Sequence, residues 1–471
     1  MRFSTNTPLR SLATLLLLLP VAPGTESRNP APWSAAGEVP CAQRSGPVRV
    51  VDSSLVDDDG PFLGLGVSYF TALWRAKHDR ARLEDDLAFL SKCGFRSYRM
   101  LSMVGYHASW KGKEIAPISF TTRDGRRIEA WPDYWDQLRA LIDEGSDRHG
   151  LRAQITVFAD ADLMPNPQQR RAHLERLIRD VVRGRESKIL LIEIANEAWQ
   201  NGFPGDDGVR ELRDLASLAN SLTEVPIAIS SNQGGPGAEV SDLAAFDRTY
   251  QNSGADLATW HFSRDKSPDW GWKPVYDCWA YGTRPDCPPA VSNEPIGPGA
   301  SVATEREPSR LVAAAAFAFA AKLPLYVFHS EAGVYGQSRF EDTPGIDRFH
   351  AFVRVLPPDL PSWQRSDGRG ATDPFRVLAS GEYDAFRSAS RSPEDGCVRI
   401  AIDTKKEHFV AVPIGIPANG LEVEARYALQ INAFDPQSGE QVDSVKLDAG
   451  QRHRFRGGPE SLIIQGQVEG P

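Results

Sequence analysis

Asn196 and Glu197 close a nearly continuous apolar run, ILLIEIA, and Glu294 closes a shorter one, PAVSN. Two carboxylates on opposite walls of one pocket can divide a bond-breaking reaction. One delivers a proton to the leaving oxygen while the other attacks the carbon that the oxygen leaves. Either Glu alone is as readily a salt-bridged residue at the end of a strand, so the weight lies on the pair. Glu331, following YVFHS, competes with Glu294 for the attacking role, and the two exchange if one strand has been miscounted. Glu193 lies within its run rather than at the end, and reads as a paired structural carboxylate.

The elements that must position this pair follow from hydrophobic periodicity. Short β-rich runs occur at 62–69, 95–101, 152–158, 189–195, 225–230, 256–262, 289–293 and 323–329. Between them lie segments with apolar residues at helical spacing, such as RLEDDLAFLSKC, YWDQLRALIDEGSDRHG, RRAHLERLIRDVVRG and RELRDLASLANSL. Alternation of this kind builds a parallel sheet covered by helices, and eight strands close naturally into a (β/α)8 TIM barrel. Barrel strands are buried on both faces, which accounts for ILLIEIA. The loops after the strands form the working face of such a barrel. On this count, Glu197 ends strand four and Glu294 ends strand seven. The Ala-rich stretch Leu311–Ala321 is too short to span a membrane and reads as a buried helix.

After IDRFHAFVRVL the pattern changes to turn-rich alternating runs, CVRIAID, HFVAVPIG, EARYALQINAFD and ESLIIQG, expected to form a small C-terminal β-sandwich. The resulting plan is a leader at 1–25, an N-terminal segment at 26–60, a catalytic barrel at 61–365 and the sandwich at 366–471. VRVVDSSLVDDDGPF reads as a hairpin that could pack on the sandwich.

The Asn-Glu pair ending strand four, with a second Glu ending strand seven, resembles the clan A glycoside hydrolases, distantly those of family 5. The resemblance spans roughly residues 60–355. It implies Glu197 as general acid/base, Glu294 as nucleophile and Asn196 as a ligand of the sugar 2-hydroxyl. It also implies Arg99 as the arginine that supports the nucleophile and His261 as its neighbour on strand six. Three departures stand out: strand three ends TVFAD without the family 5 histidine, His261-Phe262-Ser263 replaces His-x-Tyr, and strand eight offers His329 and Glu331 where a Trp is usual. His329 and Glu331 are expected to bind substrate there. Trp199, Trp270, Trp272, Trp279 and Tyr281 cluster in loops of the same face, where aromatic rings suit the C–H faces of sugars. Two of these five, with Trp199, Trp272 and Trp279 foremost, are expected to touch ligand.

Composition is compatible with this reading. Hydrophobic residues make up 41% and charged residues 24%, ordinary for a globular protein, and the formal charge of -9 argues against nucleic acid as partner. A neutral carbohydrate suits it better, bound by a monomer. Charged Arg2 and Arg10, the apolar run Leu12–Val21 and small residues near Gly24 form a secretory signal pattern, so a secreted or periplasmic protein without a membrane span is expected. Of five cysteines, Cys278 and Cys287 are expected to bond to each other and Cys93 to be a buried free thiol, while Cys41 and Cys397 could tie the N-terminal segment to the C-terminal domain, a connectivity that the sequence leaves open. No His-x-His ends the first strand and GLG at 64–66 lies within a strand, so neither a catalytic metal nor another cofactor is expected. The leading expectation is a retaining glycosidase acting on β-linked glycans. The alternatives are an inverting glycosidase and a catalytically silent glycan-binding protein on the same scaffold.

Overall fold

A computed structural model of the chain describes residues 43–105, 110–231, 243–262, 273–282, 284–295, 297–298, 305–366, 371–378, 397–403, 407–416, 420–455 and 460–469. Eight parallel strands form the central sheet: β1 Gly64–Ser68, β2 Ser97–Leu101, β3 Arg152–Phe158, β4 Ile189–Ala195, β5 Ile227–Ser230, β6 Ala258–Trp260, β7 Ala290–Ser292 and β8 Leu325–Phe328. Each pairs with its neighbours in chain order except β5 with β6, and β8 returns to β1, with Tyr326 opposite Leu65 and Phe328 opposite Val67. All eight coincide with the apolar runs.

The ring is interrupted between β5 and β6, where a side chain takes over from the ladder. The Tyr250 hydroxyl donates to Ser230 O at 2.8 Å, accepts from Ser230 N at 3.0 Å and lies 3.1 Å from Thr259 Oγ1. A buried phenol can serve two strands in this way because one oxygen both donates and accepts.

The helices α1 Ala72–His78, α2 Arg80–Lys92, α3 Tyr134–His149, α4 Pro167–Leu177, α5 Gly205–Leu222, α6 Leu243–Tyr250, α7 Lys273–Tyr281 and α8 Pro308–Ala320 connect successive strands, and α9 Phe349–Val355 follows β8. Their ends obey local chemistry. Asn166 caps α4 by accepting from Gln168 N at 2.8 Å and Gln169 N at 3.1 Å, with Pro167 at the first helical position. Gly150 ends α3 in the left-handed conformation at φ +67°. In α5, Leu212, Leu215, Ala216 and Ala219 form the one buried stripe.

Helix α8 differs in being buried on every side from Leu311 to Ala320. It touches β8 on one side and the C-terminal strands Cys397–Asp403, His408–Ile416 and Glu460–Ser461 on the other. A helix apolar all round needs two partners, and the C-terminal sheets supply the second. Those strands belong to a larger antiparallel sheet that also contains Gln364–Ser366, Leu429–Phe434, Gln441–Leu447 and Ile463–Val468. A second sheet joins Phe375–Val377, Leu421–Ala425 and Arg452–Phe455. Phe375, Phe409, Leu421, Val423, Leu429, Ile431 and Ile464 form one core between the two sheets. The run EARYALQINAFD, read as one strand, divides between them, because the chain leaves the small sheet at Ala425 and enters the large one at Leu429.

The N-terminal segment corrects one expectation. Strands Arg49–Val51, Ser54–Asp57 and Gly60–Phe62 form an antiparallel meander, but it does not lie on the sandwich core. Val48, Leu55 and Phe62 instead pack with Leu190, Leu191, Ala228, Leu257, Val291 and Leu325 at the amino ends of the barrel strands. That rim is an apolar ring that would otherwise face water, and the meander plugs it. Arg152, opening β3, anchors the plug at 2.7 Å from the buried Asp57, which Arg44 also holds at 2.6 Å.

The expected Cys278–Cys287 bond is likewise absent: both are free thiols, as is the buried Cys93. Cys278 faces the barrel core from α7, whereas Cys287 lies near Asp247, Sγ 3.9 Å from Oδ1. Cys41 lies outside the described residues. Burial, with Asp247 nearby, pushes the Cys287 thiol up to about 11, and burial raises Cys278 well above the ordinary range. Both therefore stay neutral below that range. Peptide mapping after alkylation should find both cysteines labelled in denaturant without reductant. In the folded protein Cys287 should react first, and faster as pH approaches 11. A linked peptide containing both residues would contradict this arrangement.

Candidate active site

The carboxyl ends of the strands converge on one cluster. Arg99, inside the barrel on β2, is 0% exposed. Its guanidinium donates from Nη1 to Glu294 Oε1 at 2.6 Å, from Nη2 to Glu193 Oε2 at 2.8 Å and to Asn196 Oδ1 at 2.7 Å, and from Nε to Glu193 Oε2 at 3.0 Å. Burial opposes this charge, yet the carboxylates of Glu193 and Glu294 outweigh it and raise the Arg99 pKa above its ordinary value. Glu193 is held in turn by Thr156 Oγ1 at 2.6 Å and Asn293 Nδ2 at 2.8 Å, and Gln154 donates to Asn293 at 2.8 Å. Glu193 is thus the paired structural carboxylate expected from its place inside the run.

Glu197 begins the turn after β4 with φ +39°, a region that costs a non-glycine residue about 1–3 kcal/mol. The turn is braced against that cost. Asn201 Nδ2 donates to Asn196 O at 2.9 Å, Glu197 N donates to Ser231 Oγ at 3.3 Å, and Ala198 N donates to Ser230 Oγ at 3.2 Å. Gln200 also donates to the Glu197 carboxylate. Glu294 follows β7 and is buried, and its segment continues past Gly297, where an added Cβ would fall 1.5 Å from His329 O. Only glycine lets the chain pass there.

Two buried histidines complete the cluster. His261, after β6, places Nδ1 3.0 Å from Glu197 Oε1 and Nε2 3.3 Å from Glu294 Oε1. His329, after β8, places Nε2 3.6 Å from Glu294 Oε2, while its Nδ1 lies 2.9 Å from Ser68 Oγ. One atom each from Glu197, His261 and Glu294 lie within 4.8 Å of one another. Among the described residues these three could ligate a cation, but the Arg99 guanidinium already occupies Glu294 Oε1 and would repel a second positive charge beside it.

Of the residues singled out from sequence, the fold therefore brings together Arg99, Asn196, Glu197, His261, Glu294 and His329. Trp199 stands on the Glu197 turn and is 36% exposed. Trp272 and Trp270 lie outside the described residues. Trp279 is not placed as a sugar platform: it packs against the core from α7 with the Arg365 guanidinium 3.9 Å over its ring. Tyr281 is buried and stacks on Trp260 at 5.8 Å. Helical periodicity turned both inward. Glu331 does not rival Glu294 either, because it opens a helical turn and its carboxylate accepts from the backbone N of Gln337 at 3.2 Å and of Ser338 at 3.0 Å.

Sequence reasoning missed Phe70, Ser68, Asn293 and Gln154. Phe70 lies 5.0 Å from the Arg99 guanidinium and 5.7 Å from the His329 ring. Its position two residues after β1 is the one signal that could have marked it.

No family model and no curated protein matches the sequence. Solved structures do resemble the fold. One described as a glycoside hydrolase aligns at 13% identity with a TM-score of 0.62, covering 91% of this chain and 98% of that one. A family 5 glycoside hydrolase from Bacteroides vulgatus aligns at 11% identity with a TM-score of 0.60, covering 89% of this chain and 93% of that one. At such identities the likeness establishes the architecture, a (β/α)8 barrel with C-terminal antiparallel sheets.

Removing one partner of a buried charge network costs more than replacing the whole network. Arg99→Met leaves Glu193 and Glu294 facing each other, and should lower the unfolding free energy by about 3–5 kcal/mol. Glu193→Gln, which can still accept a hydrogen bond from Arg99, should cost less. Urea unfolding of the two variants beside the parent protein measures the difference, and equal losses would contradict the assignment.

Proposed function

We propose that this protein is a retaining glycoside hydrolase acting on β-linked glycans, with Glu294 as nucleophile and Glu197 as general acid/base. The observation that carries the reading is the pair itself, with one oxygen of each carboxylate within 4.8 Å at the ends of β7 and β4. Carboxyl groups about 5–5.5 Å apart attack directly, whereas about 6.5–9.5 Å leaves room for an intervening water and inverts configuration. The two solved neighbours, both glycoside hydrolases, agree with a glycosidase.

The surrounding contacts suit these roles. A neutral imidazole donates from one nitrogen and accepts at the other. His261 Nδ1 lies 3.0 Å from Glu197 Oε1, so the imidazole can orient the carboxyl that delivers the proton. Arg99 holds Glu294 ionised and aimed. Glu294 then attacks the anomeric carbon as the glycosidic C–O bond breaks, and the Glu197 proton goes to the departing oxygen. In the second step water attacks the glycosyl-enzyme ester, gives its proton to Glu197 and releases Glu294. Asn196, oriented by Arg99, is the residue this reading assigns to the sugar 2-hydroxyl. The signal pattern of residues 1–25 supports export, with substrate met outside the cytoplasm.

The two glutamates should fail differently. Glu294→Gln should abolish turnover of every aryl β-glycoside and leave sugar binding intact. Glu197→Gln should lose about 10²–10⁴-fold on substrates with poor leaving groups, and far less on activated aryl glycosides. Azide, which needs no base, should restore turnover of the Glu197 variant and yield a β-glycosyl azide. A glycosyl-enzyme that still forms in Glu294→Gln, detected by intact mass, would reassign the nucleophile.

A further inference from the structure

The catalytic pair gives the mouth a direction. The leaving oxygen must lie toward Glu197 on β4, and the ring carrying the anomeric carbon must lie over Glu294. Any further sugars on that ring run away from Glu197, across Arg99 and His329, toward the ends of β8, β1 and β2. What stands there decides whether a chain can extend.

The turn after β1 is short, since β1 ends at Ser68 and α1 begins at Ala72. The segment between β2 and α3 is long, since β2 ends at Leu101 and α3 begins at Tyr134. It closes at its neck by paired bonds, Val104 N to Ile115 O at 3.1 Å and Ile115 N to Val104 O at 2.9 Å. Gly105 N donates to Asp160 after β3 at 2.8 Å, and Phe120 packs so closely on Gly105 that an added Cβ would fall 2.3 Å from its ring. From this braced neck Trp110 and Lys113 reach the segment after β8. Lys113 Nζ donates to Tyr335 O, and the Trp110 ring lies 6.2 Å from Tyr335 and 6.2 Å from Phe70.

β2 and β8 are the two neighbours of β1 in the sheet, and Trp110 packs on Phe70 just past β1, so the contact between their loops lies at the end of β1. The bridge therefore stands on the side of the mouth away from Glu197. Burial follows the same division. Phe70 and Trp110, on the bridge side, are 4% and 8% exposed, whereas Trp199, on the leaving-group side, is 36% exposed.

We propose that this bridge, formed by Trp110, Lys113 and Tyr335 over Phe70, closes the glycone end of the mouth and makes the protein an exo-acting enzyme. It releases one sugar at a time from the non-reducing end. The inference rests on the glycosidase reading and adds the form of substrate that the site accepts: a chain end, with an unsubstituted terminal ring.

The test uses the full chain. Turnover of 4-nitrophenyl β-glucoside, β-galactoside, β-mannoside and β-xyloside identifies the sugar. The matching β-linked pentasaccharide, labelled at its reducing end, is then followed from the first turnovers, with and without a 4-O-methyl cap on its non-reducing end. Labelled tetrasaccharide and free monosaccharide as the first products, with loss of cleavage on capping, are the expected result. Labelled di- or trisaccharide from the outset, with the capped chain cut equally well, would overturn the inference and leave the glycosidase reading standing. No turnover of any aryl glycoside or β-linked oligosaccharide would overturn both. Lys113→Ala combined with Trp110→Ala should make the capped chain cleavable. A folded double variant that still rejects it would show that the bridge is not the barrier. If the variant does not fold, the capped and uncapped comparison in the parent protein decides.

Discussion

A single buried cation organises this molecule's centre. Arg99 is out of contact with water, and a guanidinium can be held there only if carboxylates and amide oxygens take up its charge and its donors. Glu193, Asn196 and Glu294 do so from β4, the turn after it and the end of β7. The interaction thus pins opposite walls of the barrel to one point and aims Glu294 at the same time. Asn293 and Gln154 extend the constraint to neighbouring strands, which leaves the barrel interior polar near its mouth and apolar below.

The rest of the architecture protects that arrangement from outside. At the amino ends of the strands the N-terminal meander seals an apolar ring, with Asp57 and Arg152 as its anchor. Beside β8, helix α8 is covered by the C-terminal sheets, and this contact explains why so apolar a helix exists in the chain. Between β5 and β6, where the ladder is broken, the Tyr250 hydroxyl closes the seam. Each device meets a need created by closing a sheet on itself: an open end, an outer wall and one imperfect join.

Much of this was legible in the chain. All eight barrel strands stand where β-rich runs alternate with helical segments, because a strand buried on both faces leaves an apolar signature that no exposed segment imitates. Glu193, Asn196 and Glu197 could be sorted into structural and mouth-facing residues by counting along one strand. Less legible were features that depend on what a residue meets. Trp279 and Tyr281 looked like loop aromatics, but belong to a helix whose buried side takes both. Cys278 and Cys287 are close in sequence, yet one thiol enters the core while the other lies beside Asp247.

By itself the sequence determined the kind of scaffold and two glutamates at strand ends, since periodicity and strand ends are local properties, whereas the arginine beneath them was implied only by resemblance. Tertiary structure alone decided that His261 lies between the two carboxylates, that Glu331 turns to cap a loop, that Gly297 must have no side chain, and that the segment after β2 reaches the segment after β8. These are contacts between residues far apart in the chain, set by strand order and barrel closure. No pattern within a single segment encodes the distance from one loop to another across the end of β1.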